Sequence, residues 1–380
     1  MSRLDELIEK LCPDGVEMHE LQELFITRNG YTPSKSKSEF WENGTVPWFK
    51  MEDIRANGNI LSDALQHVNE CAVKGKLFPE NSIIVATSAT VGEHALITVP
   101  SLANQRFTYL MVKPEYEGRF MPKFLFYYCY KLDKYCLQNL NQSSFASVDM
   151  KKFAKFKFPV PPLEVQREIV HILDYFTLLT AELTAELTAR KKQYSYYRDT
   201  LIQKECKSEK VKLNTVCEIY DGTHQTPKYT NGGIPFVSVE NIDDLYGTQK
   251  FISTEAYAKY KIKPRIGDVF MTRITAGIIG KCTVVERNDD LAYYVSLALL
   301  RPNADILDSK YLKYYLESVW GRRELSKWIL WDATPTKINK DDIGRVLISV
   351  PPLDTQKRLV QVIEHFDVIC TDLNIGLPGE

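Results

Sequence analysis

The side chains best suited by type and spacing to hold a ligand fall in paired polar segments of the 380-residue chain. Thr27-Arg28-Asn29-Gly30-Tyr31-Thr32-Pro33-Ser34-Lys35-Ser36-Lys37 is matched by Asp221-Gly222-Thr223-His224-Gln225-Thr226-Pro227-Lys228-Tyr229. Thr87-Ser88-Ala89-Thr90 is matched by Thr272-Arg273-Ile274-Thr275, and Gln138-Asn139-Leu140-Asn141-Gln142-Ser143-Ser144 by Trp331-Asp332-Ala333-Thr334-Pro335-Thr336-Lys337. Hydroxyls and cations donate to phosphate oxygens; Asn, Gln and Arg also meet base edges, and Asn or Gln suits adenine in bidentate geometry. The candidates in the first set are Arg28, Tyr31, Thr32, Lys35, Lys37, Ser88, Thr90, Asn141, Gln142 and Ser143, with Lys50 nearby. Those in the second are Thr223, His224, Gln225, Thr226, Lys228, Arg273, Thr275, Thr334, Thr336 and Lys337. A solvated loop has the same composition, so the pairing carries more weight than any one segment.

Catalytic patterns are scarce. The chain has neither a G-x-x-x-x-G-K-[ST] phosphate loop nor a G-x-G-x-x-G turn. Its six histidines are scattered, without H-E-x-x-H, and there is no G-x-S-x-G nucleophile elbow. The double prolines superficially match the Asn/Asp-Pro-Pro-aromatic motif of amino-methyltransferases. Here Val160 and Val350 replace the polar residue and Leu163 and Leu353 the aromatic, so nothing is available to hold a base amine. Asp243-Asp244 and Asp341-Asp342 read as turn and helix-start residues. The residues therefore point to binding, with no reaction catalysed by this chain alone.

What must position these segments is an internal repeat. Phe158-Pro159-Val160-Pro161-Pro162-Leu163-Glu164-Val165-Gln166-Arg167 returns as Ile348-Ser349-Val350-Pro351-Pro352-Leu353-Asp354-Thr355-Gln356-Lys357. Pro47-Trp48-Phe49 returns as Pro235-Phe236-Val237, and Leu77-Phe78-Pro79 as Ile262-Lys263-Pro264. Leu7-Ile8-Glu9-Lys10 is echoed by Leu201-Ile202-Gln203-Lys204. A repeat of this length fixes the architecture: two similar mixed α/β halves with an approximate two-fold relation. From Pro162 to Lys204 no proline or glycine interrupts a helical spacing of Val165, Ile169, Ile172, Phe176, Leu179 and Leu183, whose phase then slips to Leu187, Tyr194 and Leu201. The slip lies in a period-four tract, Thr180-Ala181-Glu182-Leu183-Thr184-Ala185-Glu186-Leu187. A helix of about 40 residues, about 60 Å long, needs a partner for its apolar stripe, and its repeat-mate after Pro352, running antiparallel, supplies one. Residues 82–87 and 268–272 read as strands, and residues 123–128 and 310–316 as helices.

Composition agrees. Hydrophobic residues make up 44% and charged residues 26%, enough for two domains with cores of their own. A net charge of −1 argues against coating nucleic acid through bulk charge. Eight cysteines without a C-x-x-C pair read as reduced, mostly buried thiols, with no metal site. No apolar run is long enough for a bilayer, and residues 1–10 lack a signal-peptide core, so no membrane association and a cytoplasmic location are expected.

The duplicated Val-Pro-Pro-Leu…Gln, the Thr-Ala-Glu-Leu tract, Asp221-Gly222-Thr223-His224…Thr226-Pro227 and Ile266-Gly267-Asp268-Val269 together resemble the specificity subunit of bacterial and archaeal type I restriction–modification enzymes. The resemblance covers essentially the whole chain. It implies an α+β fold in which two target-recognition domains are separated by a pair of long antiparallel helices. Its division is an N-terminal helix piece (1–15), a first recognition domain (16–158), the central helix (159–206), a second recognition domain (207–348) and a distal helix (349–380). Each domain would read one half of a bipartite, asymmetric site in double-stranded DNA. The helices would space the domains and dock two methyltransferase subunits, with restriction subunits joining through the complex. Ile169, Ile172, Phe176, Leu179, Leu183, Leu187, Tyr194, Tyr197, Val360 and Ile363 are the docking candidates. No cofactor is expected here; S-adenosylmethionine, ATP and magnesium would sit on partner subunits. In this family the number of four-residue repeats in the central helix can set the gap between half-sites. The family's distal helix usually continues through a tract like Ala189-Arg190-Lys191-Lys192-Gln193-Tyr194, whereas this sequence stops at Leu377-Pro378-Gly379-Glu380. A coiled-coil scaffold with two protein-binding heads would also explain the helices, but not divergent polar loops on a repeated frame.

Overall fold

The computed structural model describes residues 2–141, 146–205 and 209–371, and it divides into two compact units, Met1–Ala181 and Glu182–Glu380. The distal residues 372–380 lie outside the described residues.

In the first unit, strands Phe25–Asn29, Phe107–Val112, Ser82–Ala86, His94–Ile97 and Ile60–Leu61 lie side by side in that order. A second sheet of His67–Val68, Val46–Phe49 and Leu102–Ala103 flanks it. All five residues of Ser82–Ala86 are buried, as expected of a short Ile/Val run at the centre of a sheet. Helix Pro122–Gln138 covers one face through Phe124, Leu125, Cys129, Leu132 and Cys136.

The second unit repeats this plan. Strands Cys217–Asp221, Leu297–Pro302, Val269–Thr272 and Cys282–Val284 form its main sheet, and Phe251–Ile252, Ile234–Val237 and Ala292–Tyr293 the flanking one. Helix Ser309–Glu317 takes the place of Pro122–Gln138. Each unit is also closed by a two-stranded clasp, Met18–Glu20 against Lys157–Pro159 and Lys210–Lys212 against Leu347–Ser349. The strands and helices expected at residues 82–87, 268–272, 123–128 and 310–316 are all present.

The duplicated Val-Pro-Pro-Leu…Gln acquires a physical reason. Gln166 and Gln356 are both fully buried. The Gln166 amide nitrogen donates to the carbonyls of Arg119 and Pro161, each at 2.8 Å, and its oxygen accepts from the Met121 N–H at 2.9 Å. Gln356 repeats the set with Ile306 (2.8 Å), Pro351 (2.7 Å) and Asp308 N–H (2.8 Å). In each unit one glutamine thus locks the proline turn to the start of the covering helix. One turn-pair further on, Asp174 accepts from Lys123 Nζ at 2.7 Å and Glu364 from Lys310 Nζ at 2.5 Å. The repeat is a repeated joint between helix and domain.

The central helix runs unbroken over Leu163–Glu205. Its threonines suit an exposed helix because their hydroxyls bond back one turn, Thr180 to the Phe176 carbonyl at 2.7 Å and Thr188 to that of Thr184 at 2.8 Å. Within the second unit the distal helix Leu353–Thr371 lies antiparallel to it: Tyr197 stacks on Phe366 at 5.0 Å and Arg190 reaches the Ile369 carbonyl at 3.5 Å. Within the first, Arg3 of the N-terminal helix Arg3–Leu11 pairs with Glu168 at 3.4 Å.

The docking candidates separate by environment. Val360 and Ile363 are 7% and 1% exposed in the second unit's core, so they hold that unit together and offer no free surface. Ile169 packs against the first unit's core, Tyr194 against the second's, and Ile172 and Leu187 are half-buried. Phe176, Leu179, Leu183 and Tyr197 remain exposed, joined by Tyr175 and Leu178.

Among the described residues no helix is long and apolar enough to cross a membrane, and no group of side chains is placed to hold a metal. The described cysteines are free, and all but Cys71 are buried. Burial pushes the Cys136 and Cys217 thiols up to about 12.

Candidate nucleic-acid interface

The three polar segments of each half converge. In the first unit Asn29, at the end of its strand, accepts from the Thr108 hydroxyl at 2.8 Å, and that hydroxyl meets Thr87's at 2.8 Å. The Val148 N–H then donates to the Thr87 carbonyl at 2.9 Å, and Ala89 N–H to Ala146 at 2.8 Å. In the second unit Arg273 pairs with Asp221 and donates through Nε to the Ile338 carbonyl at 3.2 Å. Thr275 N–H donates to the Thr336 carbonyl at 3.0 Å, beside a bridge between Ile274 and Lys337. The same three-way junction is therefore pinned by a neutral network in one unit and by an ion pair in the other.

The glycine after each keystone residue is required by close approach. A Cβ on Gly30 would lie 2.3 Å from the Ala103 carbonyl oxygen, and one on Gly222 would lie 2.5 Å from that of Tyr294. Backbone this tight fixes where each loop leaves the sheet.

Several candidates serve the scaffold. Arg273 is only 6% exposed and spends its guanidinium on Asp221 and Ile338, so it is a pin and not a free phosphate donor. Arg28 donates to the Lys76 carbonyl at 3.0 Å and lies 4.1 Å from the centre of the Phe78 ring. The Tyr31 hydroxyl donates to Ala72 and accepts from Lys74 N–H, and Asn141 bonds back to Ser147 and Val148. Lys50 donates to Gln66 at 3.2 Å and sits over Trp48. Thr275 accepts from Gly277 N–H, and the Thr223 hydroxyl turns in on the Gln225 backbone.

The others face solvent or the rim. Lys35, Lys37, His224, Gln225, Thr226, Lys228 and Thr334 are exposed, while Thr32, Ser88, Thr90, Thr336 and Lys337 are half-buried. Lys37 lies 3.8 Å from Glu39, and Thr32 meets Gln105. Gln142 and Ser143 fall outside the described residues.

The fold also brings to this surface residues that the sequence pattern does not single out. Gln105 and Arg106 are exposed in the turn beside Thr32. In the second unit a cleft of about 540 Å³ opens between the 221–227 loop and Tyr260, with Tyr293 also lining it. A polar turn between apolar strands is the signal available for the first pair; nothing local marks Tyr260.

Arg273→Met would leave the Asp221 carboxylate and the Ile338 carbonyl unpaired. Because the Asp221 side chain is 28% exposed, the expected cost is about 1–3 kcal/mol, below that of a fully buried pair. Asp221→Asn with Arg273→Thr and Ala298→Thr copies the neutral junction of the first unit, since Ala298 faces Asp221 as Thr108 faces Asn29, and the Arg273 carbonyl accepts from Ile338 N–H as that of Thr87 does from Val148 N–H. Thermal melts should show a drop for the single variant and partial recovery for the triple. A triple variant no better than the single would refute the equivalence of the two junctions.

Comparison with known proteins extends this geometry. The family model described as "Type I restriction modification DNA specificity domain" matches residues 13–190 and again 206–380. An Escherichia coli protein, the type I restriction enzyme EcoprrI specificity subunit, is 56% identical over 241 residues, which is 59% of this chain and 60% of that protein. The EcoR124I/EcoR124II specificity subunit, also from Escherichia coli, is 36% identical over 200 residues, 49% of this chain and 48% of that protein. The aligned stretches thus span less than two thirds of either relative. A solved chain from work on assembly and conformational transition of the type I R-M system shares the fold at a TM-score of 0.62 and 21% identity, covering 95% of this chain and 92% of that one.

Proposed function

The chain belongs to the type I restriction modification DNA specificity family, and from that premise we propose that each unit reads one half of a bipartite, asymmetric site in double-stranded DNA. The observation carrying this reading is one frame with two faces. The sheets, the clasps and the buried glutamines are duplicated, while the loops at residues 27–37 and 221–229 differ in nearly every exposed side chain. A duplicated frame with divergent polar loops suits two readers of different words. Exposed Gln225, Thr226 and His224 supply base-edge donors and acceptors, and exposed Lys35, Lys37 and Lys228 supply cations for phosphate.

The chain works as the non-catalytic part of a complex. The exposed apolar side chains of the central helix, Tyr175, Phe176, Leu178 and Leu179, are surface that a methyltransferase subunit would cover. Two such subunits, with restriction subunits joining through them, carry S-adenosylmethionine, ATP and magnesium in this reading. Residues 16–158 and 207–348 are the reading domains, and the helices between and after them are spacer and dock.

With a net charge of −1 and few free cations per loop, the chain alone should bind DNA weakly. Simultaneous contacts by docked methyltransferases raise the effective concentration, so affinity for a split-site duplex should climb by 10²-fold or more, roughly, on adding them. A gel-shift titration with and without the methyltransferase subunits tests this. Equal affinity in both, or no shift in either, would favour the scaffold with protein-binding heads.

A further inference from the structure

Beside the divergent loops, each unit carries the same pair of cations. Lys74-Gly75-Lys76-Leu77-Phe78-Pro79 is matched by Lys259-Tyr260-Lys261-Ile262-Lys263-Pro264. Lys74, Lys76, Lys259 and Lys261 are all exposed, and none forms a salt bridge among the described residues. Many neighbouring cations are already neutralised: Lys250 by Glu240, Lys281 by Asp243, Arg301 by Asp268. In each unit the pair is tied to the reading loop. Lys74 N–H donates to the Tyr31 hydroxyl at 2.7 Å, and Lys76's carbonyl accepts from Arg28. Lys259 and Lys261 line the cleft opposite Thr223 and Gln225.

From this we infer that the two Lys-x-Lys pairs are phosphate clamps, seating each unit on the DNA backbone without reading sequence. These clamps presuppose the DNA-reading role proposed above and divide its labour. A group that reads a base must change when the word changes; a group that grips phosphate need not, because every nucleotide presents the same charge. The lysines are common to both units, whereas the loops they brace are not. Leaving two exposed cations without a carboxylate partner preserves their charge for an incoming polyanion.

Removing one cation that neutralises a phosphate lowers the slope of log affinity against log salt by about 0.9. For the full chain assembled with its methyltransferase subunits, Lys259→Ala with Lys261→Ala should therefore flatten that slope by about 1.8. The methylated word should stay unchanged, as should the melting temperature, since neither side chain is buried. Lys74→Ala with Lys76→Ala should do the same through the first unit, and arginine at either pair should restore the slope. An unaltered slope, or a changed word, overturns the clamp while leaving the reading role intact. If the wild-type complex itself shows no salt-dependent binding to split-site DNA, the reading role fails and the clamp with it.

Discussion

Gln356→Leu is expected to destabilise the second unit by about 2–4 kcal/mol, and Gln166→Leu the first unit by a similar amount. Each glutamine is fully buried and makes three hydrogen bonds to backbone groups. Leucine fills much of the same space but leaves two carbonyls and one N–H unsatisfied, each costing about 1–3 kcal/mol where water cannot reach. Ile306 is 41% exposed, so its carbonyl regains some solvent and the total falls below the sum. For a unit of this size a melting temperature lower by roughly 5–15 °C follows. Lys357→Ala, one residue along and exposed, is the control and should change little. A Gln356→Leu protein melting with the wild type would mean that the repeated motif does not owe its recurrence to this joint.

That joint shows what is legible in the sequence and why. The Val-Pro-Pro-Leu…Gln motif recurs intact because its glutamine bonds only to backbone groups, which any residue type can supply at the partner positions. Strands such as Ser82–Ala86 and Val269–Thr272 are visible as apolar runs because every position in them is buried, with polar residues only at their ends. Side-chain roles in the loops are not visible. Arg273 and Lys228 look alike in a sequence, both being cations in polar segments. Only the fold shows that Asp221, far along the chain, neutralises the first while the second stays exposed. Val360 and Ile363 carry the helical periodicity of a docking stripe, and periodicity does not say whether the facing surface is a partner or the chain's own core. The lysines at 74, 76, 259 and 261 do not stand out in the sequence, because two cations spaced by one residue are ordinary until both copies are found beside equivalent loops.

The two junctions bear on how such a repeat diverges. Asn29, Thr87 and Thr108 hold the first by neutral hydrogen bonds, while Asp221 and Arg273 hold the second by an ion pair with Ala298 leaving room for the guanidinium. A change of one member alone leaves a polar group without its partner, so the residues had to change as a set. The exposed loop residues are under no such constraint. Variation thus costs little at the exposed loops and much just beneath them.

Deleting Thr184-Ala185-Glu186-Leu187 is expected to keep both half-site words and shorten the gap between them. Four residues are a little more than one turn, so the helix shortens by about 6 Å and the flanking faces rotate by about 40°. The tract's period makes the deletion nearly self-healing. Glu182 takes the place of Glu186, which pairs with Arg190 at 2.6 Å, and Leu183 takes the place of half-buried Leu187. The threonine hydroxyls find the next carbonyl one turn back as before. Two contacts with the distal helix, Tyr197 on Phe366 and Arg190 on the Ile369 carbonyl, lie C-terminal to the cut and are undisturbed. Neither reading loop is altered, so the words persist, and about 6 Å of helix corresponds to about one or two base-pair rises. Adding a third Thr-Ala-Glu-Leu should lengthen the gap by the same amount. Mapping methylated adenines across the genome of cells carrying each variant, with their methyltransferase, reads out word and gap together. Changed words, or a gap indifferent to both deletion and addition, would show that the helix does not set the spacing.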